Sequence, residues 1–388
     1  MKGINHDFYF CFFIVLGILS GTSYYIAHRA YSGIASFFPN FRFWPLLTVL
    51  MVLALIMLLG FAKSMMPLPV WLKNILGTVG LCYMGIFVYL LLYTLLADIV
   101  MILPQVLKLS FTTHQYFKGF MTLSVLALTL VTCTYCFINA RQIDHVSYDI
   151  QLRERDDISD INIVMISDLH LGSIGSESRL DNIVDEINSL KPDVVCIVGD
   201  FFDSDFASID EPEIALAKLR SIRSTYGVYS CLGNHDAGKT FSEMLAFLDK
   251  ADIRLLDDDY AIIDNRFVLV GRLDRSPIGS SGEQTRRGFS EVYKRENLNM
   301  PVVVMDHNPA GIGEYGVNAD LILCGHTHKG QLFPASIVTN AMYDADYGYY
   351  RKDAENPHVI VSSGVGYWGM PMRVGTDCEI VSITIKGE

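Results

Sequence analysis

Four long apolar runs occupy the first part of the chain, over residues 8–27, 44–62, 75–103 and 118–138. Each run is near or above the roughly 20 residues that an α-helix needs to cross the hydrocarbon core of a bilayer. Aromatic and basic side chains flank the runs, as in Phe41-Arg42-Phe43-Trp44 and Trp71-Leu72-Lys73, where interfacial anchors are typical. The pattern predicts an N-terminal domain, residues 1–140, built from four transmembrane helices.

The hydrophobic pattern changes at about residue 148 to short β-branched runs that alternate with amphipathic segments. The runs that indicate buried strands are Ile161–Ser167, Val194–Gly199, Gly227–Gly233, Pro301–Met305 and Leu321–Gly325. Apolar residues at helical spacing predict helices over 177–190, 211–223 and 239–250. Two further β-rich stretches, 253–273 and 357–386, predict a second sheet. We therefore expect an α/β domain over residues 151–388, joined by a short linker, 141–150, that keeps it close to the bilayer.

Composition and charge separate the same two regions. The chain has 388 residues, of which 51% are hydrophobic and 19% charged, and this excludes a disordered protein. Residues 1–140 carry seven basic and two acidic residues, a net charge of +5, whereas the rest of the chain has a net charge of −17. Nucleic-acid binding depends on basic surface, so the acidic second region disfavours nucleic acid as a partner.

The orientation of the predicted helices follows from the basic residues beside them. Four spans would place both termini on one side of the membrane. That side carries Lys2, Lys63, Lys73, Arg141, Arg153 and Arg155, and the other side carries Arg29, Arg42, Lys108 and Lys118. This excess favours a cytoplasmic α/β domain. We expect a multi-pass protein of a bacterial-type inner (cytoplasmic) membrane. Asp98, near the end of the third run, is expected at an interface rather than in a proton relay.

Carboxylate, amide or imidazole side chains follow each of the five predicted strands. They are Asp168-Leu-His170, Asp200 with Asp203 beyond it, Asn234-His235-Asp236, His307, and His326-Thr-His328. Because the carboxyl ends of parallel strands converge on the ligand crevice of an α/β sheet, we expect these side chains to meet. A single Asp or His after a strand is usually a turn or capping residue. Seven of them at five strand ends instead predict a metal site; the seven are Asp168, His170, Asp200, Asn234, His307, His326 and His328.

The chemistry of these donor groups limits which metal ions the site can bind. It offers carboxylate, amide and imidazole groups without a thiolate, which suits Mn²⁺, Fe, Zn²⁺ or Co²⁺. There are enough donors for two divalent ions if one carboxylate bridges them. Mn²⁺ is the expected ion.

These motifs resemble those of the calcineurin-like metallophosphoesterase family, over about residues 160–386. The matching segments are DxH (Asp168–His170), GDxxD (Gly199–Asp203), GNHD (Gly233–Asp236), the separate His307 and GHxH (Gly325–His328). The resemblance implies a four-layer α/β/β/α sandwich. It also implies one metal site from Asp168, His170, Asp200 and His328, and a second from Asp200, Asn234, His307 and His326. The membrane-tethered branch is similar in its GHTHxGQ segment and its C-terminal GxG…PxR, here ending at Arg373.

The remaining site residues are assigned by their position beside these ligands. His235 follows a ligand directly, so we expect it to donate a proton to the leaving group or to stabilise the charged transition state, with a packed loop histidine as the alternative. Asp203, Asp236 and Asp306 are expected to orient ligands. Basic residues near the motifs are expected to contact substrate phosphates, with a solvated loop over 272–295 as the alternative; they are Arg272, Arg286, Arg287, Lys329 and Arg373.

The sequence indicates a class of substrate but not a single compound. Aromatic and apolar residues after GHTH, including Phe333, Met342, Tyr343 and Trp368, either line a pocket for an acyl chain, sugar or base, or pack a loop onto the core. With the short tether, they favour a membrane-resident phosphoester or pyrophosphate. By family analogy this is a phospholipid or a UDP-diacylglucosamine-type lipid A precursor. The alternatives are an inactive metallophosphoesterase scaffold and a regulatory domain of a membrane channel or transporter.

Overall fold

The computed structural model describes residues 6–63, 66–106, 116–152, 160–294 and 300–386, with side chains from residue 13 onward except at 70 and 103–105. The chain divides into two compact units, Met1–Cys136 and Phe137–Glu388. Some residues used above for the orientation and for the basic segment lie outside the described ranges; they are Lys2, Lys108, Arg153, Arg155 and Arg295.

The first unit is helical. Its helices are α1 (His6–Phe37), α2 (Phe43–Phe61), α3 (Val70–Val106) and α4 (Phe117–Asn139), the last of which ends in the second unit. Three segments of the described chain are long and apolar enough to cross a membrane: Phe43–Phe61, Trp71–Ile102 and Phe117–Asn139. The predicted first span forms a helix, but its described part includes polar residues such as Ser20, Thr22 and Ser23 and is not among the three. The prediction of four spans is therefore supported for three.

The helices of this unit pack through a small apolar core. Ile26 and Ala27 of α1 meet Ala54 and Met57 of α2, and Phe87 of α3 packs on the same cluster. Asp98, on α3, is paired with α1: Arg29 Nη2 lies 2.7 Å from Asp98 Oδ2, and the Tyr25 hydroxyl donates to the same oxygen at 2.6 Å. The carboxylate is thus neutralised within the bundle.

The second unit contains two six-stranded mixed sheets. The first has the strand order β1-β12-β2-β3-β4-β5. Its strands are β1 (Ile143–Gln151), β2 (Ile161–Ile166), β3 (Val194–Val198), β4 (Val228–Cys231), β5 (Ile253–Leu255) and β12 (Cys378–Lys386). The helices α5 (Ser176–Ser189), α6 (Pro212–Leu219) and α7 (Phe241–Lys250) connect its central strands, as the helical spacing predicts.

The segment expected as a linker, 141–150, is part of this sheet. Strand β1 runs parallel to β12 in a register that extends from Ile143–Cys378 to Gln151–Lys386. Val146, Tyr148 and Ile150 alternate along β1 and pack on the core between the sheets. That period-two pattern explains the strand, because it buries one face of the segment. Most of the segment expected as a linker is therefore the first strand of this sheet.

The second sheet has the order β10-β11-β9-β8-β7-β6. Its strands are β6 (Asp259–Ile263), β7 (Phe267–Gly271), β8 (Val302–Met305), β9 (Leu321–Cys324), β10 (Gly348–Tyr350) and β11 (His358–Val361). Helix α8 (Phe289–Val292) lies between β7 and β8, and α9 (Ala335–Met342) lies between β9 and β10. The two β-rich stretches are thus shared between sheets, because β5 and β12 join the first sheet while β6, β7 and β11 join the second.

Three apolar cores separate the layers. On β2, Val164 and Ile166 face the core shared with α5–α7, and Ile163 and Met165 face the core between the sheets. A third core covers the outer face of the second sheet, where Val268 and Val304 meet Phe289 and Tyr315. Alternate side chains of each strand therefore enter different cores, which gives the order helices, sheet, sheet and a thin outer layer.

Candidate metal centre

The five motif loops follow strands of both sheets. Asp168, Asp200 and Asn234 lie beyond β2, β3 and β4 of the first sheet, and His307 and His326 lie beyond β8 and β9 of the second. Backbone hydrogen bonds join neighbouring loops: Asp168 N donates to Gly199 O at 3.0 Å, and Gly325 N donates to His307 O at 2.9 Å. The site therefore lies where strand ends of two sheets meet, and not at the edge of one sheet.

The backbone of these loops is left-handed at several predicted ligands. Asp168, His170, Asp200, His326 and His328 have φ values of 54°, 47°, 49°, 71° and 49°. This region is uncommon for residues other than glycine and costs about 1–3 kcal/mol per residue when the surroundings impose it. Such strain concentrates at functional sites.

One group of potential ligands consists of Asp168, His170 and His328. One ligand atom from each lies within 4.8 Å of the others, and all three residues are buried. His170 Nε2 is 3.2 Å from His328 Nε2, which in turn is 3.4 Å from Asp168 Oδ1. Two imidazole nitrogens and a carboxylate oxygen directed at one point form a suitable site for a single divalent cation.

A second group consists of Asp200, His307 and His326, again with ligand atoms within 4.8 Å of one another. His307 Nε2 lies 3.1 Å from Asp200 Oδ2, while its Nδ1 lies 2.8 Å from the carbonyl oxygen of Val198. The contact to the carbonyl fixes the ring and leaves Nε2 facing the site. Asp200 Oδ2 is also 3.8 Å from His170 Nε2, so this carboxylate lies between the two groups.

Buried polar atoms in the centre are arranged so that a bound cation would provide the partner they need. Asn234 Oδ1 is buried and makes no hydrogen bond within the described chain, and buried His307 Nε2 faces carboxylate oxygens of Asp200 and Asp168. Among the described residues, the ion-pair partners of Asp168 and Asp200 are imidazoles alone. Buried carboxylates without a permanent cation are costly. The residues present therefore fit divalent metal ions, and the ligand roles of all seven stay predictions.

The four histidines of the first two ligand groups form two pairs whose pKa values shift in opposite directions. Burial lowers the pKa of His170 and His307, but neighbouring carboxylates outweigh it and raise both above their ordinary value: mainly Asp203 for His170 and Asp200 for His307. Burial lowers the pKa of His326 and His328, and the Arg373 cation lowers that of His328 further. Neutral imidazole is the form that binds metals, so burial keeps His326 and His328 ready to do so.

The three carboxylates expected to orient ligands have different partners. Asp236 accepts backbone N–H groups of Phe201, Phe202 and Gly233 at 2.8–3.1 Å and so ties the GDxxD and GNHD loops together. Asp203 Oδ1 lies 3.4 Å from His170 Nδ1. Asp306 is fully buried and accepts two hydrogen bonds from Arg286, immediately before His307.

A third group of potential ligands consists of His170, Asp203 and His235, whose ligand atoms also lie within 4.8 Å of one another. His235 borders the first group. Its ring contacts that of His170 at 5.0 Å between centroids, and its Nδ1 lies 2.7 Å from Ser204 Oγ. Burial lowers its pKa. Its backbone N–H donates to Asp200 Oδ1 at 2.8 Å, so the residue is fixed relative to the carboxylate between the two groups.

Two of the five basic residues expected at the substrate are fully buried, which contradicts that assignment. Arg272 pairs with Asp258 and Glu314 at 2.8 Å each. Arg373 donates to the carbonyl oxygens of His328 and Ser363 at 3.2 and 2.8 Å. Both guanidinium groups are hydrogen-bonded inside the fold, although Arg373 Nε is buried without a hydrogen-bond partner in the described chain.

The other three basic residues differ in accessibility. Arg286 is mostly buried and is held by Asp306, Glu314 and Tyr315, so it too acts within the fold. Arg287 is exposed, although its side chain donates to the carbonyl oxygen of Asp258. Lys329 Nζ lies 4.0 Å above the ring of Tyr347. Substrate contact stays a prediction for Arg287 and Lys329.

Some residues around the centre were not identified from sequence. Ser204 contacts His235, and Tyr315 donates to Asp306 at 2.6 Å. Thr376 donates to the carbonyl oxygen of His328 at 3.2 Å. Ser204 directly follows the GDxxD motif, and that position was a usable signal. Tyr315 and Thr376 belong to no motif.

The aromatic and apolar segment after GHTH is divided between core and surface. Tyr367, Met370 and Met372 are buried, as expected for residues that pack a loop. Phe333, Met342 and Trp368 are exposed. The packing interpretation therefore holds for the buried residues, and the pocket interpretation stays a prediction for the exposed ones.

Known proteins resemble the chain most clearly in this region. The family described as calcineurin-like phosphoesterase matches residues 161–330. An uncharacterized metallophosphoesterase of Helicobacter pylori is 30% identical over 58% of the chain, which spans 60% of that relative. Another, from Aquifex aeolicus, is 31% identical over 62% of the chain and 91% of the relative.

A third relative extends the similarity into the helical region. A zebrafish (Danio rerio) protein named transmembrane protein with metallophosphoesterase domain is 29% identical over 78% of the chain and 72% of its own length. Together with three helices apolar enough to span a bilayer, this similarity indicates a membrane protein.

Proposed function

The chain belongs to the calcineurin-like metallophosphoesterase family, and we propose that it hydrolyses a phosphodiester, phosphomonoester or pyrophosphate bond of a membrane-associated substrate. One observation carries this proposal. Two ligand groups, the buried Asp168–His170–His328 and the mostly buried Asp200–His307–His326, lie side by side with Asp200 between them. An inactive scaffold would not need to retain these strained and buried donors.

The donors suit a pair of ions, of which Mn²⁺ is our choice, with Fe, Zn²⁺ and Co²⁺ as alternatives. When bound, two divalent ions would activate a water molecule and neutralise the phosphoryl oxygens. The protein's own contribution is to hold the ligand atoms in place. Val198 fixes the His307 ring, and Arg373 fixes the backbone of His328.

His235 supplies the proton chemistry in this proposal. Its ring lies against that of His170, outside the ligand set that the family motifs imply, and its contact with Ser204 fixes the ring. From this position it donates a hydrogen bond or a proton to the leaving-group oxygen. Such a contribution is typically worth about 10²–10⁴-fold in rate.

Three features support a membrane-associated substrate. The helices give the protein a permanent place in a bilayer, the net charge of −17 in residues 141–388 disfavours long polyanions, and exposed apolar side chains follow the GHTH motif. We infer a phospholipid or a nucleotide-linked acylated sugar of the UDP-diacylglucosamine type. We also propose a multi-pass topology in a bacterial inner membrane, with the catalytic domain on the cytoplasmic side.

The test uses full-length protein purified in detergent, stripped with chelator and assayed on phosphomonoesters, phosphodiesters and pyrophosphates. We expect activity to vanish with chelator, to return with Mn²⁺, and to be absent in Asp200→Asn at any Mn²⁺ concentration. Asp181→Asn makes the same change at an exposed surface position and should behave as wild type. Metal-independent hydrolysis, or an active Asp200→Asn variant, would refute the proposal.

A further inference from the structure

An exposed apolar surface lies on helix α9 and the loop beside it. We define it by Ile337, Val338, Met342 and Trp368, whose exposed fractions are 62%, 57%, 68% and 43%. None of the eight residues of α9 is buried, and none carries a charge. Val338 and Met342 are four residues apart and therefore lie on one helix face. Exposed apolar side chains that cluster can mark an interaction site.

This apolar surface is attached to the metal centre. Gln331, in the GHTHxGQ segment, exchanges hydrogen bonds of 2.9 Å with the backbone N–H and carbonyl groups of Trp368. The ring of Trp368 lies 6.2 Å from that of His235, and the Tyr343 ring, just after α9, lies 6.2 Å from that of His326. The surface therefore borders the opening of the candidate active site.

The same loop receives the chain where it leaves the last apolar helix. Asn139, the final residue of α4, donates to Thr376 O at 3.1 Å and to Asp377 Oδ1 at 2.8 Å. Ala140 is buried against Tyr367 and Cys378. Thr376 in turn donates to the carbonyl oxygen of His328. A few contacts thus connect the end of a candidate span with a predicted metal ligand.

We propose that Ile337, Val338, Met342 and Trp368 form a membrane-contact surface that inserts into the boundary between lipid headgroups and acyl chains. The bilayer is the chosen occupant because the chain carries its own apolar helices, and because the last of them ends on the loop that bears Trp368. An uncharged helix in a domain of net charge −17 points to apolar contact rather than attraction to anionic lipid. Tryptophan is enriched at that boundary in membrane proteins.

The tryptophans of the chain provide the measurement. The sequence has three, so full-length protein with Trp44→Phe and Trp71→Phe retains Trp368 alone. It is placed in phosphatidylcholine nanodiscs, with or without bromine on the acyl chains, which quenches tryptophans that contact them. We expect brominated lipid to quench Trp368 about as strongly as it quenches Trp44 and Trp71 in a Trp368→Phe control.

Two further variants define the surface. Adding Ile337→Ser, Val338→Ser and Met342→Ser to the Trp368-only protein should remove most of the quenching. A Tyr260→Trp protein without the native tryptophans reports on β6, at the opposite edge of the second sheet from β10, and should not be quenched. Far-ultraviolet circular dichroism on each variant verifies folding.

Three outcomes would overturn the proposal. One is Trp368 quenching no greater than that at position 260. Another is quenching that persists in the serine variant, which would mean that the tether and not α9 brings Trp368 to lipid. A third is shielding of Trp368 from both brominated lipid and aqueous iodide, which would indicate a protein cover such as a second copy. None of these measurements requires turnover. A failure of the membrane-contact proposal can therefore be distinguished from a failure of the proposed hydrolysis.

Discussion

Arg286 forms a two-point ion pair with Asp306, the residue that directly precedes His307. Its Nη1 and Nη2 lie 3.0 and 2.9 Å from the two carboxylate oxygens. Asp306 is fully buried, and Tyr315 donates to it as well. Because planar two-point pairing sets orientation as well as charge, this contact fixes the backbone that presents His307.

The first prediction concerns this pair. Arg286→Lys keeps the charge but loses the two-point geometry, so we expect Mn²⁺ to bind about 10–100-fold more weakly, as is typical when a residue that orients a ligand is replaced. Isothermal titration calorimetry on chelator-stripped protein measures the affinity. Arg275→Lys is the matched control, since Arg275 also contacts Glu314 but does not contact Asp306. Equal affinities in both variants would contradict the role assigned to Arg286.

A second prediction separates His235 from the metal ligands. His235→Asn should lower kcat by about 10²–10⁴-fold while the metal content stays at the wild-type level, because the ring acts on the leaving group. Ser204→Ala removes the hydroxyl beside Nδ1 and should cause a smaller loss. Metal content is measured by mass spectrometry of the purified proteins. A loss of bound metal in His235→Asn would make this residue a ligand.

The third prediction follows from the close approach of Gly233 to Asp200. A Cβ atom at position 233 would overlap the Asp200 side chain and backbone. Gly233→Ala should therefore displace the carboxylate that lies between the two ligand groups and reduce activity about 10²-fold or more, as misplacement by about 1 Å does. Gly313→Ala, where the added methyl group has no atom within 4 Å, should leave the activity unchanged. Comparable activity in the two variants would show that the loop adapts.

The fourth prediction concerns pH and stability away from the centre. Burial and the neighbouring Asp258 raise the pKa of Asp257 to about 6, from an ordinary value of about 4. The folded state thus retains a proton that the unfolded state releases between these values, so ionisation at higher pH opposes folding. Asp257→Asn should raise Tm at pH 8 and change it little at pH 4. Exposed Asp259→Asn is the control, and a larger gain at pH 4 would contradict the assignment.

Much of the fold was predictable because the determining pattern is local. Short β-branched runs identified β2, β3, β4, β8 and β9, and helical spacing identified the helices α5 to α7. The alternating segment of β1 was expected to be a linker, and its partner β12 lies more than 200 residues away in sequence. The sequence pattern also failed to assign β5 and β12 to the correct sheet, since hydrophobicity marks a strand as buried without identifying its neighbours.

The role of the basic residues could not be predicted for a similar reason. Arg272 and Arg373 appear in the sequence as cations near a phosphate site, yet each is buried among partners supplied by distant segments. Whether a guanidinium meets solvent or a buried carboxylate depends on packing, and composition alone does not report it.

The sequence by itself determined the chemistry of this protein. Carboxylate, amide and imidazole groups at five strand ends are intrinsic to the residues and their spacing, and so is the apolarity of the helices. Only the tertiary structure decided that the ligands come from two sheets, that Arg286 positions His307 through Asp306, and that α9 stays exposed beside the centre. Those features depend on contacts between residues far apart in the chain, and folding alone brings them together.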